Sequence, residues 1–229
     1  VQAAARPGEN GHGYRRARGD ADRRLSVAAR SHGERGPRTG GRARDDGRIR
    51  IIGGLWRGRK LAVAPVPALR PTPDRVRETL FNWLGPYISG ATCLDLFAGT
   101  GALGFESLSR GAAAATLLDA DPVVVQTLVA HRDTLAADAA TILCADARTW
   151  LATNPPVPHD IVFVDPPFRQ GLVAEITAQL RAGWLKPHTL VYLEAEKIPI
   201  LELEAGGWQL TRQGRTRHVE FALAERAPS

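Results

Sequence analysis

The segment Ile161-Val-Phe-Val-Asp165-Pro166-Pro167-Phe168 carries the most specific chemistry in the chain. An apolar strand running straight into Asp-Pro-Pro-Phe delivers a carboxylate, a turn whose prolines bring carbonyls but no N–H donors, and an aromatic ring to one place. This combination suits a planar amine. Asp165 and the Pro166 carbonyl can accept hydrogen bonds from an exocyclic NH2 while Phe168 stacks on the ring that bears it. Such an amine is a poor nucleophile because its lone pair is delocalised, so positioning and hydrogen-bond acceptance supply most of the help. The chemistry expected is in-line methyl transfer from a sulfonium to that nitrogen, with no metal and no covalent nucleophile. A plain strand-ending turn also accounts for Pro-Pro but leaves the acid without a role.

A second constellation is Asp95-Leu-Phe97-Ala-Gly99-Thr-Gly101-Ala-Leu-Gly104. Its glycines let a backbone approach a ligand closely, and the helix that follows offers free N–H groups. Alone, Gly99-x-Gly101-x-x-Gly104 fits a dinucleotide fingerprint equally well. Asp95, an acid in an apolar strand, is costly to bury unless it meets a polar ligand or backbone donors. Asp119 closes the next strand, where α/β nucleotide sites hold ribose hydroxyls. Asp146, followed by Ala147, closes the third strand, placed either to receive an adenine amino group or to cap a helix. Asp121 is accounted for as a cap. Acids at three consecutive strand ends oppose a phosphate-bearing ligand and favour S-adenosylmethionine, a cation without phosphate. Asp95, Phe97, Gly99, Gly101, Asp119, Asp146 and Ala147 form the expected cofactor set.

The elements that must hold these residues alternate. Strands are expected at 91–97, 114–119, 141–145, 160–164 and 190–193, with helices at 102–110, 122–137, 148–153 and along the stripe Leu172, Val173, Ile176, Leu180. An antiparallel pair, 208–212 and 218–223, closes the sheet. The pattern predicts an α/β, Rossmann-like fold: a mostly parallel seven-stranded sheet with an antiparallel final strand. Ahead of it, residues 48–63 read as two short strands around a Gly-containing turn. Thr72 is placed to cap a helix with Pro73 at its first position and Val76, Leu80, Phe81 and Leu84 as its apolar stripe.

Charge divides the 229 residues further. Residues 1–48 hold 12 Arg and 6 acids, while the remainder balances at 18 and 18, so the net +6 comes from the tail. With nine Gly and no Ile, Phe or Trp, that tail is expected to be a disordered, solvated extension. Between Ile49 and Arg77 lie seven cations, Arg50, Arg57, Arg59, Lys60, Arg70, Arg75 and Arg77, against Asp74 alone. The cations are interleaved with Gly and Trp56, and with RNA as the partner that the family resemblance below implies, the patch reads as a phosphate-contacting surface rather than a merely solvated face. The organisation expected is thus an extension at 1–47, a basic hairpin and helix at 48–88, and a catalytic domain at 89–229. Cys93 and Cys144 sit far apart in apolar runs and read as reduced core thiols. The six histidines lack metal-ligand spacing and read as surface or cap residues. No apolar run approaches a membrane span, and a cytoplasmic monomer is expected.

The residues Arg50-Ile-Ile-Gly-Gly-x-Trp-Arg-Gly-Arg-Lys-Leu61, Leu69-Arg-Pro-Thr-x-Asp-Arg-Val-Arg-Glu-Thr-Leu-Phe-Asn-Trp-Leu84, Asp95-x-Phe-Ala-Gly-x-Gly-Ala-Leu-Gly104 and Asp165-Pro-Pro-Phe168 closely resemble the bacterial 16S rRNA guanine-N2 methyltransferases of the RsmD type. The resemblance runs from about residue 48 to near the C-terminus. It implies a class I methyltransferase acting on N2 of guanine 966 of 16S rRNA during small-subunit assembly. It would carry Asp95, Gly99, Gly101, Asp119 and Asp146 over as cofactor residues, and Asp165 to Phe168 as the methyl-transfer motif. Asp119 stands where Glu is common in that family, one methylene shorter, and the tail has no counterpart. Other readings stay open: the same chemistry on adenine N6, cytosine N4 or a protein glutamine; a nicotinamide-dependent oxidoreductase; and a non-catalytic RNA-binding assembly factor.

Overall fold

The computed structural model describes residues 47–66, 72–168 and 170–226. The expected N-terminal extension, Arg70, Pro67 and Pro71 therefore lie outside the described residues, apart from Gly47 at the extension's end. β1 (Arg48–Arg50) and β2 (Lys60–Ala62) form an antiparallel hairpin. After α1 (Asp74–Leu84) the chain alternates: β3 (Thr92–Asp95), α2 (Ala102–Ser109), β4 (Ala114–Asp119), α3 (Pro122–Leu135), β5 (Ala140–Cys144), α4 (Ala147–Thr153), β6 (His159–Val164), α5 (Leu172–Leu180) and β7 (Leu185–Ala195). A short α6 (Ile200–Ala205) leads to β8 (Trp208–Arg215) and β9 (Glu220–Arg226).

The sheet order is β5-β4-β3-β6-β7-β9-β8, with β9 antiparallel to both neighbours and the strands from β5 to β7 parallel. This is the doubly wound sheet expected from the alternation. Its central strands are apolar on both faces: Ile161, Val162, Phe163 and Val164 of β6 are fully buried. One face packs against α1, α2 and α3 around Leu80, Phe81, Phe105, Leu128, Phe163 and Tyr192. The other holds Leu94, Val162, Ile176, Leu180, Trp184 and Leu193 under α4 and α5. At about 1.5–3 kcal/mol for each large apolar side chain buried, these two layers fix the sheet that carries the site.

Several local expectations are corrected. Thr72 is not a helix cap: α1 begins at Asp74 with Pro73 before it and no side-chain cap bond. α6 falls in a stretch where no element was expected, and β7 extends well beyond 190–193. Cys93 is buried, with burial pushing its thiol up to about 12, but Cys144 is exposed because it ends the edge strand β5. His131 and His159 are buried rather than at the surface. His131 shares the inner face of α3 with Val124, Leu128 and Leu135 and meets Phe105 edge-on. Burial lowers the pKa of both histidines. Asp121 does cap α3, accepting from the Val123 N–H at 2.8 Å. Among the described residues no helix is long and apolar enough to cross a membrane.

Candidate active site

The carboxyl ends of β3, β4, β6 and β7 form one edge of the sheet, and the acids noted in the sequence stand along it. Asp95 ends β3 and is 2% exposed. Its Oδ2 accepts the Gly104 N–H at 3.1 Å, so the acid finds a backbone donor from the first turn of α2. Burial outweighs that bond and, with Asp119 nearby, pushes its carboxyl up to about 7.

Between them the glycine loop turns sharply. Gly99 and Gly101 have φ of +52° and +76°, a region that L side chains rarely adopt. A Cβ on Gly101 would also come within 2.6 Å of the Phe105 ring, and one on Gly104 within 2.6 Å of Leu117. Asp119 anchors the loop from β4: its Oδ2 accepts the Gly99 N–H and its Oδ1 the Asp121 N–H, both at 2.9 Å. Phe97 is half-buried against the core layer under α4 and α5.

Asp146 caps α4. Its Oδ1 accepts from N and Oγ1 of Thr149 and its Oδ2 lies 3.5 Å from Arg148. The backbone bond from Thr149 leads the causes that hold its carboxyl below the usual range. Ala147, the first residue of α4, is buried.

Asp165 follows β6 directly. Pro166 is buried, Pro167 is exposed, and Phe168 keeps 43% of its surface open. Thr72 donates its hydroxyl to Asp165 Oδ2 at 3.2 Å, which ties the entrance of α1 to this carboxyl. Asp165 is pushed well above the usual carboxylate range, first by burial and then by Glu194. The register pairs Val164 with Leu193 and Phe163 with Tyr192, so Asp165 and Glu194 follow as neighbours on adjacent strands. Glu194 is 3% exposed and its Oε2 accepts the Tyr192 hydroxyl at 2.6 Å. Thr72, Tyr192 and Glu194 were not singled out as site residues in the sequence. Glu194 carried the same signal as Asp95 and Asp165, an acid ending an apolar run.

The charged groups acting on Asp165 are Glu194 and Asp95, and the one acting on Asp95 is Asp119. A site whose buried charges are all carboxylates is suited to a cation and opposes phosphate, which answers the bare glycine fingerprint.

The basic patch divides. Arg50, Arg57, Arg59 and Lys60 are exposed on or beside the hairpin and Arg75 on α1. Arg59 also donates to the Thr134 carbonyl at 3.1 Å, and Arg50 lies 3.5 Å from Asp74. Arg77 is corrected: at 1% exposure it cannot meet phosphate. It occupies the inner face of α1, where its guanidinium bonds Asp74 and the Thr72 and Arg50 carbonyls and lies 3.8 Å from Glu106. Glu106, fully buried, accepts the Ile52 and Gly53 N–H groups at 2.7 and 2.8 Å and pairs with Arg110 at 2.7 Å. Ser109 completes the grip: its hydroxyl donates to the Gly53 carbonyl and accepts the Trp56 N–H. Trp56 is half-buried against the core. A groove of about 530 Å³ opens between the hairpin and α3, lined by Arg48, Lys60, Gln126, Thr127, His131 and Thr134. It is a separate hollow from the carboxylate edge.

The family described as Conserved hypothetical protein 95 matches residues 49–225. Ribosomal RNA small subunit methyltransferase D of Escherichia coli K12 is 51% identical over 181 residues, covering 79% of this chain and 91% of that protein. The protein of the same name from Haemophilus influenzae is 44% identical over 182 residues, covering 77% and 93%. The solved structure of the Escherichia coli methyltransferase yhhF superposes with a TM-score of 0.70 at 49% identity, covering 80% of this chain and all of that one. With a family match that takes in both the hairpin and the Asp-Pro-Pro-Phe edge, and relatives alike over nearly their whole length, this chain belongs to the Conserved hypothetical protein 95 family of methyltransferases, together with the ribosomal RNA small subunit methyltransferase D proteins.

Proposed function

We propose that this chain methylates the exocyclic N2 of a guanine in 16S rRNA, the base numbered 966, within a partly assembled small ribosomal subunit in the cytoplasm, acting as a monomer. The observation that carries the reading is the Asp165 carboxyl, backed by Thr72 and followed by the open Phe168 ring, at the edge of a site whose charges are all carboxylates.

S-adenosylmethionine, when bound, supplies the methyl group of its sulfonium. The glycine loop and the first turn of α2 would give it a close backbone approach, Asp119 would hold its ribose hydroxyls and Asp146 its adenine amino group, with Phe97 and Ala147 lining the site. Asp95 offers charge to the cationic end.

Thr72 occupies one Asp165 oxygen and leaves the other for the guanine amine. Asp165 and the Pro166 carbonyl then hold the two amine hydrogens and turn the nitrogen lone pair toward the methyl. Phe168 stacks on the base, which has to be splayed out of any helix to arrive. As the N–C bond forms, the nitrogen gives up a proton, and Asp165 is placed to accept it. Arg50, Arg57, Arg59, Lys60 and Arg75 meet backbone phosphates and set the register of the RNA. Arg70 belongs to the same patch by sequence.

The test is transfer from labelled S-adenosylmethionine to small subunits from cells lacking the modification, followed by nucleoside analysis. N2-methylguanosine is expected with the wild type and not with Asp165→Ala. Cofactor binding with no label in any RNA would refute the substrate reading, and label on DNA or a protein glutamine would replace it.

A further inference from the structure

Two carboxyl groups, not one, stand at the methyl-transfer edge. Asp165 and Glu194 follow the last register pair, Val164 and Leu193, of two parallel strands, so they project side by side from the sheet face that α1 covers. Each has one neutral partner: the Thr72 hydroxyl for Asp165 and the Tyr192 hydroxyl for Glu194. From β9 the residue paired with Glu194 is Phe221, which brings no charge. From β3 the charged group acting on Asp165 is Asp95, another acid. A hydroxyl donor satisfies a carboxylate oxygen without neutralising it, and the buried cation of α1, Arg77, bonds Asp74 and the Thr72 and Arg50 carbonyls rather than either acid, so the Glu194 charge acts on Asp165.

An ordinary carboxylate is a weak base for an arylamine proton, and proton acceptance improves as the acceptor becomes more basic. Close pairs of carboxylates are a known way to raise the basicity of one of them.

Building on the proposed reaction, we propose that Glu194 is a positioning residue that acts through Asp165: its negative charge, one strand away, makes Asp165 a stronger proton acceptor than a lone carboxylate. During transfer the nitrogen–carbon bond forms, the carbon–sulfur bond breaks with its electron pair going to sulfur, and the surplus amine proton passes to Asp165. The proton leaves to solvent when the products do. Tyr192 holds the Glu194 carboxylate in place, and its hydroxyl bond offsets part of the burial that raises the Glu194 pKa. Burial and the Glu194 charge both raise the Asp165 pKa, in accord with this arrangement.

The decisive variant is Glu194→Gln, which keeps an oxygen for the Tyr192 hydroxyl and removes only the charge. The first readout needs no substrate. In protein labelled at the aspartate carboxyl carbon, the Asp165 resonance, assigned by its loss in Asp165→Asn, is titrated by NMR. The Asp95 resonance is assigned in the same way with Asp95→Asn. In Glu194→Gln the Asp165 midpoint is expected to fall by one pH unit or more. The second readout is the pH profile of single-turnover methyl transfer: its acid limb moves down by the same amount, and the plateau rate drops about three- to tenfold. Tyr192→Phe, which makes the Glu194 carboxylate costlier and shifts the proton onto it, lowers the Asp165 midpoint as well. A folded Glu194→Gln protein whose Asp165 midpoint stays within a few tenths of wild type overturns the proposal and leaves Glu194 as a partner of Tyr192 only. If the midpoint falls but wild type transfers no methyl to small subunits, the pairing stands and the substrate reading fails.

Discussion

Asp95→Asn separates what the buried acid costs the fold from what it does for a ligand. Moving a carboxyl from 3.8 to about 7 corresponds to about 4 kcal/mol, at about 1.4 kcal/mol per factor of ten in proton affinity. The folded protein keeps a proton on Asp95 that the unfolded chain releases between those values, so this site's contribution to stability is present at low pH and is lost as pH rises through about 7. Asparagine keeps an oxygen for the Gly104 N–H and cannot ionise. The variant should therefore gain stability over wild type as pH rises, by about 2.5 kcal/mol between pH 5 and pH 8. Urea unfolding at the two pH values reads this as a midpoint gap that widens by roughly 1 M in the variant's favour. The same variant should bind S-adenosylmethionine more weakly at pH 8, because the carboxylate that the fold pays to bury is the one offered to the cation. Parallel pH dependence in the two proteins would refute the reasoning, since it would mean that Asp95 ionises as easily in the fold as in the unfolded chain.

Glu106→Ala leaves the Arg77 and Arg110 guanidinium groups and the Ile52 and Gly53 N–H groups without their shared acceptor. A loss of about 3–5 kcal/mol is expected by denaturant unfolding, with faster amide exchange at Ile52 and Gly53. Arg57→Ala touches only an exposed side chain and should leave unfolding unchanged. RNA affinity should fall and the slope of log affinity against log salt should shrink by about one, as titrations at several salt concentrations would read. Phe168→Ala removes a ring that is 43% exposed, so stability should hold while methyl transfer drops about 5- to 150-fold, the worth of about 1–3 kcal/mol of base stacking. Transfer restored by Phe168→Tyr separates stacking from packing.

The sheet was legible because its strands are apolar runs closed by acids and its helices carry regular stripes and glycine stops. The three edge acids and the Asp-Pro-Pro-Phe turn could be placed from spacing alone. What sequence obscured were polar residues whose partners lie far along the chain. Arg77 sits at helical spacing from Phe81 and Leu84, an inner-face position, but its charge counted toward the basic patch because Glu106, its deepest counter-charge, is 29 residues away on α2. Thr72 looked like a cap because Ser and Thr before a helix usually are; its hydroxyl instead reaches an acid 93 residues later. The apolar run 190–193 stops just before Glu194, so the acid falls outside the expected strand, whereas β7 runs on to Ala195. Cys144 was misplaced because an apolar run does not reveal that its strand lies at the sheet edge.

Those long-range pairs also account for how a basic hairpin can serve a site it does not itself form. α2 starts at the glycine loop, where Asp95 takes the Gly104 N–H, and ends where Glu106 and Ser109 hold residues 52–56. α1 makes a second tie, with Thr72 on Asp165 at its entrance and Arg77 on the Arg50 carbonyl one turn later. Gly54 is needed at that junction: its φ is +74°, and a Cβ there would run into the Ser109 carbonyl. Two helices therefore fix the hairpin cations in register with Asp165 and Phe168. In the proposed complex, phosphates set on those cations would bring one base to the carboxyl edge, where Asp165 and the Pro166 carbonyl would meet its exocyclic amine.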